Sequence, residues 1–239
     1  MMRQRLKRWI NTALRPVGVQ LVAAQEDERQ ALVDLLHRQG IMRVIDVGAN
    51  KGQFAGQLLD KGYSGTICCI EPLQDAHEAL SMRFEGHRQV RVLDRTAVGA
   101  EDGSVTINVA GNSVSSSARG MLPSHEDAAP RSAYIAQQDV PLARLDTLFD
   151  GDMRDTILLK IDTQGLESEV LEGAKAFLPY CKAVLIEMSA VPLYDGQELW
   201  DALHKRLSDA GFILWNLMPD FRDPRTGQLL QFDGLYLRD

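Results

Sequence analysis

The sequence predicts an α/β fold in which helices cover a mostly parallel central sheet and an antiparallel pair of strands closes the C-terminal end. Short apolar runs alternate with amphipathic stretches over residues 42–93 and again from residue 157, as strands joined by crossover helices do. Four of the predicted strands end in an acidic residue, and a turn of small residues follows the first strand. Because ligands of open α/β sheets bind beyond the carboxyl ends of the strands, these features also predict a ligand site.

The composition is typical of one globular domain with an added arm. The chain has 239 residues, of which 45% are hydrophobic and 25% are charged. No run of about 18 apolar residues is present, so no membrane span is predicted. Cys68 and Cys69 are neighbours on a predicted strand and point to opposite faces, and Cys181 stands alone. We interpret all three as core residues of a protein in the reducing cytoplasm.

Charge divides the chain into a basic arm and an acidic body. Residues 1–25 hold five basic residues and no acidic one, so their charge is +5, whereas the whole chain carries −7 and the remainder therefore −12. An acidic body argues against a nucleic-acid partner. The arm, placed at residues 1–39 before a domain at 40–239, carries apolar residues at helical spacing. It is either a helix packed on the domain or an interfacial helix that contacts the inner membrane face through residues 1–25.

The first half of the chain alternates between helices and strands. Helices are predicted at 27–38, 52–59 and 75–84, where apolar positions recur at helical spacing. Strands are predicted at 42–46, 66–70 and 90–93, where the runs are short and apolar. Strands that are joined by crossover helices run parallel, and we expect these crossovers to be right-handed.

The middle of the chain departs from that alternation. Residues 105–109 alternate in polarity like a half-exposed strand, and residues 140–148 read as a strand or the approach to one. Between them, residues 111–130 are rich in Ser, Gly, Ala and Pro, which predicts a long loop. Loops of that length in a compact domain are usually functional.

The alternation then resumes. Strands are predicted at 157–162 and 183–187, helices at 165–178 and 197–210, and an antiparallel pair of strands at 212–217 and 228–237. The acids Asp46, Glu71, Asp162 and Glu187 end four of the predicted parallel strands, which brings them to one edge of the sheet.

The turn after the first strand reads Gly48-Ala49-Asn50-Lys51-Gly52. It has neither the spacing of the dinucleotide fingerprint nor the Gly-Lys-Ser/Thr of a phosphate loop. Asn50 tolerates a left-handed backbone, and the helix that begins near Gly52 offers free amides to a carboxylate. Glu71 follows Asp46 by 25 residues, a suitable distance for an acid that accepts from both ribose hydroxyls. Together these features predict a nucleoside with a charged group attached.

Six segments together resemble the FkbM family of S-adenosylmethionine-dependent O-methyltransferases, which have a Rossmann-like class I methyltransferase fold. They are 46–52, 70–72, 96–99, 145–148, 159–167 and 170–174. The resemblance covers about residues 40–190. Two positions depart from it, because Arg95 stands where the family often has Asn and Gln164 where it often has Glu.

The resemblance implies S-adenosylmethionine as the cofactor and assigns residues to it. Asp46, Gly48, Asn50 and Gly52 would line its methionine half, Glu71 would bind the ribose, and Ala97 would lie near the adenine. The further cofactor contacts are Ala49, Gln53, Phe54, Pro72 and Asp162. Asp162, at the end of the fourth parallel strand, would lie beside the sulfonium and is the first candidate for the general base.

Two other residues are candidates for the catalytic proton acceptor. His125 lies in the long Ser-rich segment, where it could close over an acceptor, and Glu187 could take the proton or only orient the ligands. Asp162, Glu187 and His125 could also hold a divalent metal, although their spacing does not require it.

The predicted activity is methyl transfer to a hydroxyl of a small molecule, most simply a sugar, a lipid-linked glycan or another natural product. A nicotinamide-dependent oxidoreductase on the same fold is the first alternative, and the missing dinucleotide fingerprint counts against it. A non-catalytic nucleoside-binding protein is the second, and the presence of both Asp46 and Glu71 counts against it. The acceptor's identity and the oligomeric state stay open.

Overall fold

A computed structural model describes residues 27–151 and 156–238, and its elements follow the alternation predicted from the sequence. The first half contains α1 (Glu28–Arg38), β1 (Arg43–Val47), α2 (Gln53–Asp60), β2 (Thr66–Ile70), α3 (Gln74–Arg83), β3 (Val90–Val92), β4 (Ala97–Val98) and β5 (Gly103–Ala110). The second half contains α4 (Pro123–Ala128), β6 (Tyr134–Ala143), α5 (Leu145–Leu148), β7 (Ile157–Ile161), α6 (Glu167–Glu172), β8 (Cys181–Ser189), α7 (Trp200–Asp209), β9 (Ile213–Pro219) and β10 (Gln231–Leu237). Short 3₁₀ helices lie at Pro130–Ser132 and Leu178–Tyr180.

Seven strands form the central sheet in the order β3-β2-β1-β7-β8-β10-β9. The first five strands in this order, β3, β2, β1, β7 and β8, are parallel to one another, and β10 is antiparallel to both of its neighbours. The predicted fold class is therefore confirmed, including the antiparallel pair at the C-terminal end. Since β10 runs against β8, its first residues lie at the edge where the parallel strands end.

Two apolar cores cover the two faces of this sheet. One core joins alternate strand residues such as Ile45 and Leu159 to α6 and α7, and the other joins Val44 and Leu158 to α1 and α2. Cys68 lies in the first core and Cys69 in the second, so the two neighbours do point to opposite faces. All three cysteines are buried, and none of them forms a disulfide bond.

A second, three-stranded sheet in the order β4-β6-β5 fills the middle of the chain. The predicted strand at 140–148 ends earlier, because Ala143 is the last residue of β6 and α5 follows it. The predicted loop at 111–130 contains α4, which begins at Pro123, a residue well suited to a helix's first turn.

The helix predicted at 165–178 is shorter than expected. It spans only Glu167–Glu172, and Gly173 follows it as the C-cap. The Asp146 carboxylate accepts hydrogen bonds from the backbone amides of Ala176, at 3.0 Å, and Phe177, at 2.8 Å. These two amides therefore bond to a side chain from another element, which a helical sequence pattern does not reveal.

The N-terminal helix α1 packs directly on the domain. Asp27 caps it by accepting from the Gln30 amide at 3.1 Å, and its apolar stripe, Leu32, Val33, Leu35 and Leu36, is buried. The rest of the predicted arm, residues 1–26, lies outside the described residues, and so does the expected membrane contact. No helix within residues 27–151 and 156–238 has the length and apolarity that crossing a bilayer requires.

Gly48 lets the ends of β1 and β7 approach each other closely. Its backbone has a φ of 79°, and a Cβ at this position would overlap the carbonyl oxygen of Asp162. The Asp162 amide donates to the Val47 carbonyl at 3.1 Å, which fixes that approach. The turn after β1, at the edge of the sheet where a ligand site is predicted, thus depends on a residue without a side chain.

Gly48→Ala is expected to destabilise the fold far more than Gly62→Ala. Gly62 has a similar φ of 83° but open space around it, so it isolates the backbone strain, which costs about 1–2 kcal/mol. Gly48→Ala adds a steric overlap with backbone atoms, which costs about 1–3 kcal/mol more. Urea unfolding of Gly62→Ala measures the cost of backbone strain, and urea unfolding of Gly48→Ala measures the sum of strain and steric overlap. Equal losses would show that Gly48 is needed only for its left-handed conformation.

Candidate functional site

The turn between β1 and α2 has the conformation that its residues suggested. The amides of Gly48 and Ala49 donate to the Ile70 carbonyl at 3.1 and 3.0 Å, which ties the turn to the end of β2. Asn50 has a φ of 47°, the left-handed conformation that its side chain tolerates, and its Oδ1 accepts from the Lys51 amide at 2.8 Å. The turn is therefore held rigid before any ligand binds.

Glu71 is anchored to the same turn. Its Oε2 accepts from the Asn50 amide at 2.8 Å, and its Oε1 accepts from the Leu73 amide at 2.9 Å. Only 4% of its surface is exposed, and burial is the main reason why its pKa rises to about 7, against the opposing effect of those amides. Glu71 is thus a fixed hydrogen-bond acceptor at the end of β2.

Lys160 lies between two of the predicted acids. Its Nζ is 3.3 Å from Asp46 Oδ1 and 3.1 Å from Asp162 Oδ2. The contact to Asp46 has an ion-pair distance but not hydrogen-bond geometry, so neither Asp46 oxygen has a hydrogen-bond partner among residues 27–151 and 156–238. Burial acts to lower the pKa of Lys160, but Asp162 and Asp46 outweigh it and raise that pKa above its usual value. Burial raises the pKa of Asp46 despite Lys160.

Gln164 joins Asp162 to Glu187. Its Nε2 donates to Asp162 Oδ1 at 2.9 Å and to Glu187 Oε2 at 2.7 Å, while its Oε1 accepts from the Tyr194 hydroxyl at 2.7 Å. Its φ of 55° is unusual for a residue other than glycine, and such strain concentrates at functional sites. Gln231 donates to the same Glu187 oxygen at 2.7 Å. Burial, followed by the charge of Asp162, raises the pKa of Glu187 well above its usual value.

His125 lies in α4 and not in a loop. It is 2% exposed and packs against the rings of Tyr194 and Phe221, with centroids 5.1 and 5.4 Å away. Its Nδ1 has no hydrogen-bond partner in the described part of the chain, and burial lowers its pKa to about 4. The imidazole is therefore neutral at physiological pH. The expectation of a loop histidine that closes over an acceptor is wrong in its structural premise.

These groups surround one cavity of about 490 Å³ at the carboxyl ends of the parallel strands. Most of the predicted site residues line it: Gly48, Ala49, Asn50, Gln53, Phe54, Glu71, Pro72, Ala97, His125, Asp162 and Glu187. Asp46 and Gly52 do not. Asp46 is fully buried behind Lys160, and Gly52 faces Leu80 of α3 and Phe84, the C-cap residue of that helix.

The cavity also contains residues that the sequence patterns did not single out. They include Arg29 from α1, Lys160, Asp220 just after β9, and Gln231 and Asp233 from β10. Of these residues, only Lys160 could have been noticed in the sequence, because it is a charged residue within the apolar run of its strand. No cluster of three His, Cys, Asp or Glu side chains with the geometry of a metal site occurs among residues 27–151 and 156–238.

A crevice of this kind, with an acid fixed at the end of β2 and a rigid small-residue turn after β1, defines an S-adenosylmethionine-dependent methyltransferase of the Rossmann-like class. The chain belongs to the family defined by the FkbM methyltransferase domain, whose family model matches residues 46–214. No curated protein sequence matches it.

Several solved structures have folds similar to that of this chain. One from Streptococcus pneumoniae, described as a "putative tRNA (m1A22) methyltransferase" and solved in complex with S-adenosyl-L-methionine, has a TM-score of 0.50 and 14% identity, covering 90% of this chain and 73% of that one. TehB from Haemophilus influenzae has a TM-score of 0.48 and 11% identity, covering 91% and 64% respectively. At these identities the likeness concerns the fold alone.

Stability should fall as Glu71 ionises. The folded state holds its proton up to about pH 7, whereas an unperturbed glutamate titrates near 4.5. The stabilisation is therefore complete below about pH 4.5 and is lost as the pH rises through 7. Between pH 4.5 and 8, the wild type should lose up to about 3 kcal/mol relative to Glu71→Gln, which does not titrate.

Urea unfolding at several pH values measures that difference. Glu71→Gln also loses one acceptor for a backbone amide, but this loss adds an offset that does not vary with pH. Glu85→Gln, at an exposed position, is the matched control. A wild-type to Glu71→Gln difference that stays constant over this range would contradict the raised pKa.

Proposed function

We propose that this methyltransferase acts on a hydroxyl oxygen of a small-molecule acceptor, and that the acceptor is a sugar, free or lipid-linked. The observation that carries the proposal is the position of Asp162. Its carboxylate lines the cavity at the end of β7, and Lys160 and Gln164 fix it from two sides. It is thus a held proton acceptor at the strand edge where this fold binds its ligands.

The residues around the cavity suit S-adenosylmethionine. Glu71 would accept from the ribose hydroxyls, and the apolar side chains of Leu73, Ala97 and Ile107 would surround the adenine. The first turn of α2, which has no side-chain cap, would face the methionine half together with Gly48 and Asn50. Asp46 and Gly52 would act indirectly, the first by positioning Lys160 and the second by shaping the turn.

Bound S-adenosylmethionine supplies a methyl group already activated on a sulfonium sulfur. The protein must then orient the acceptor hydroxyl and take its proton. Orientation alone can supply several kcal/mol of the barrier. We assign proton acceptance to Asp162, whose carboxylate Lys160 and Gln164 hold at the edge of the cavity. Glu187, with a raised pKa and two amide donors on one oxygen, would orient the ligands.

The acidic lining favours a polyhydroxyl acceptor over a nucleic acid. Asp162, Glu187, Asp220 and Asp233 all face the cavity, and only Arg29 and Lys160 among the lining residues carry a positive charge. Carboxylates accept hydrogen bonds from sugar hydroxyls, whereas they repel phosphate groups. One protein of similar fold is described as acting on tRNA, so RNA belongs in the test.

Incubation with isotope-labelled S-adenosylmethionine and separate pools of glycans, glycolipids, small phenols and RNA tests the acceptor class. Mass spectrometry should find the label on an oxygen of a sugar-containing molecule. Label on RNA, or on a nitrogen atom of any acceptor, would overturn the proposal. The wild type without acceptor and heat-denatured protein are the controls.

Three conservative variants separate the candidate bases. Asp162→Asn should lower the rate of methyl transfer about 10²–10⁴-fold, as expected for loss of a general base. Glu187→Gln and His125→Gln should have smaller effects, because two side-chain amides already donate to one Glu187 oxygen and burial makes His125 a weak base. Each variant's affinity for S-adenosylhomocysteine shows whether cofactor binding persists. A larger loss in His125→Gln than in Asp162→Asn would reassign the base.

We further propose that residues 1–25 bring the domain to an anionic membrane surface, where a lipid-linked acceptor would lie. The support is their charge of +5 and their interleaved apolar residues. The full chain should sediment with vesicles of anionic phospholipid, and removal of residues 1–25 should abolish this. Equal sedimentation of both proteins would eliminate the membrane contact. Neutral phosphatidylcholine vesicles control for non-specific adsorption.

A further inference from the structure

Arg29 brings a buried hydrogen-bond donor to the cavity with nothing to bond. Its side chain lines the cavity from the first turn of α1, and its guanidinium carbon lies 5.1 Å from the centroid of the Phe54 ring. Its Nη1 is buried and has no hydrogen-bond partner in the described ranges 27–151 and 156–238. A buried donor without an acceptor is costly, so such an atom indicates an absent partner.

Positive charge converges near Arg29. Lys160 Nζ is 5.7 Å from the same Phe54 ring, and Phe54 belongs to the first turn of α2, whose amides carry partial positive charge and have no side-chain cap. Lys160 has carboxylates within 4 Å, whereas Arg29 has none among the described residues. The part of the cavity around Phe54 is therefore suited to an anion.

The surrounding acids do not supply that anion. The charge of Arg29 acts on Asp46, Asp220 and Asp233, but only at a distance beyond an ion pair. Burial, followed by the charge of Asp162, raises the pKa of Asp233 to about 6, and Lys160 and Arg29 oppose this. These acids lie towards β1 and β10, whereas Glu71 and the apolar residues around Ala97 lie towards β2 and β4.

We propose that Arg29 binds the α-carboxylate of the cofactor's methionine part. This inference rests on S-adenosylmethionine as the cofactor in the function proposed above. The carboxylate is the only anionic group of that molecule, and it lies at the opposite end from the adenine. A guanidinium group matches a carboxylate in shape and can donate to both of its oxygens. Helix α1 therefore contributes to the cofactor site and does more than cover the sheet.

Two adenosine thioethers test the inference by binding alone. S-adenosylhomocysteine carries the carboxylate, and 5′-methylthioadenosine lacks the whole amino-acid part. For Arg29→Gln in the full chain, calorimetry should show a loss of affinity for S-adenosylhomocysteine of about 10- to 100-fold, as expected for a charged hydrogen bond. Affinity for 5′-methylthioadenosine should stay within about 2-fold of the wild type. Arg29→Lys should recover part of the loss.

Arg38→Gln is the matched control, because Arg38 lies in the last turn of the same helix and does not line the cavity. It should leave both affinities unchanged. The melting temperature without ligand checks folding, and if Arg29→Gln is unfolded, the ratio of the two affinities in Arg29→Lys decides.

The outcomes separate this proposal from the assignment of the cofactor. If Arg29→Gln weakens the binding of both ligands equally, Arg29 only shapes the cavity and the inference is overturned. If neither affinity changes, Arg29 does not contact the ligand and the inference is again overturned. If the wild type binds neither thioether, the cofactor assignment fails and the inference fails with it.

Discussion

The site depends on the burial of the Lys160 ammonium between Asp46 and Asp162. An ammonium in a sheet interior is costly unless carboxylates surround it, and here one comes from the end of β1 and one from the end of β7. Asp46 needs the lysine in turn, because it is fully buried and has no hydrogen-bond partner in the described part of the chain. The three charges therefore bind two strand ends together and aim the Asp162 carboxylate into the cavity.

This constraint explains the shape of the turn beside it. Asp162 approaches β1 closely enough that its carbonyl oxygen leaves no space for a side chain at residue 48. With Gly48 fixed, the chain must turn at Asn50, whose amide then bonds to Glu71 at the end of β2. Asp162, and Glu71, which would bind the ribose, are thus linked through the rigid turn at residues 48–50. That rigidity lowers the entropy lost when a ligand binds.

The sequence predicts the central architecture well because its signals are local. The parallel strands are short apolar runs, and the acids that end them are read directly from their positions. The small-residue turn and the left-handed Asn50 follow from residue type alone. The length of α6 does not follow from local residue types. The carboxylate of Asp146, some thirty residues away, accepts hydrogen bonds from the backbone amides of Ala176 and Phe177. The prediction that His125 lies in a loop was wrong for a similar reason, because its burial depends on Tyr194 and Phe221, which lie much later in the chain.

Apart from Lys160, the charged cavity residues that the sequence patterns missed come from outside the segments that resemble the family, and so does Gln231. Gln231 and Asp233 reach the cavity because β10 runs antiparallel to β8, which places the beginning of β10 beside the ends of the parallel strands. Arg29 reaches it because α1 packs on the sheet face that also carries α2. Neither position is marked by spacing, since each follows from the direction in which a distant element is packed. Under the proposed assignment, the shared segments supply the turn after β1 and the acids Glu71 and Asp162, whereas Arg29 and Asp233 add charges to the cavity from elements outside those segments.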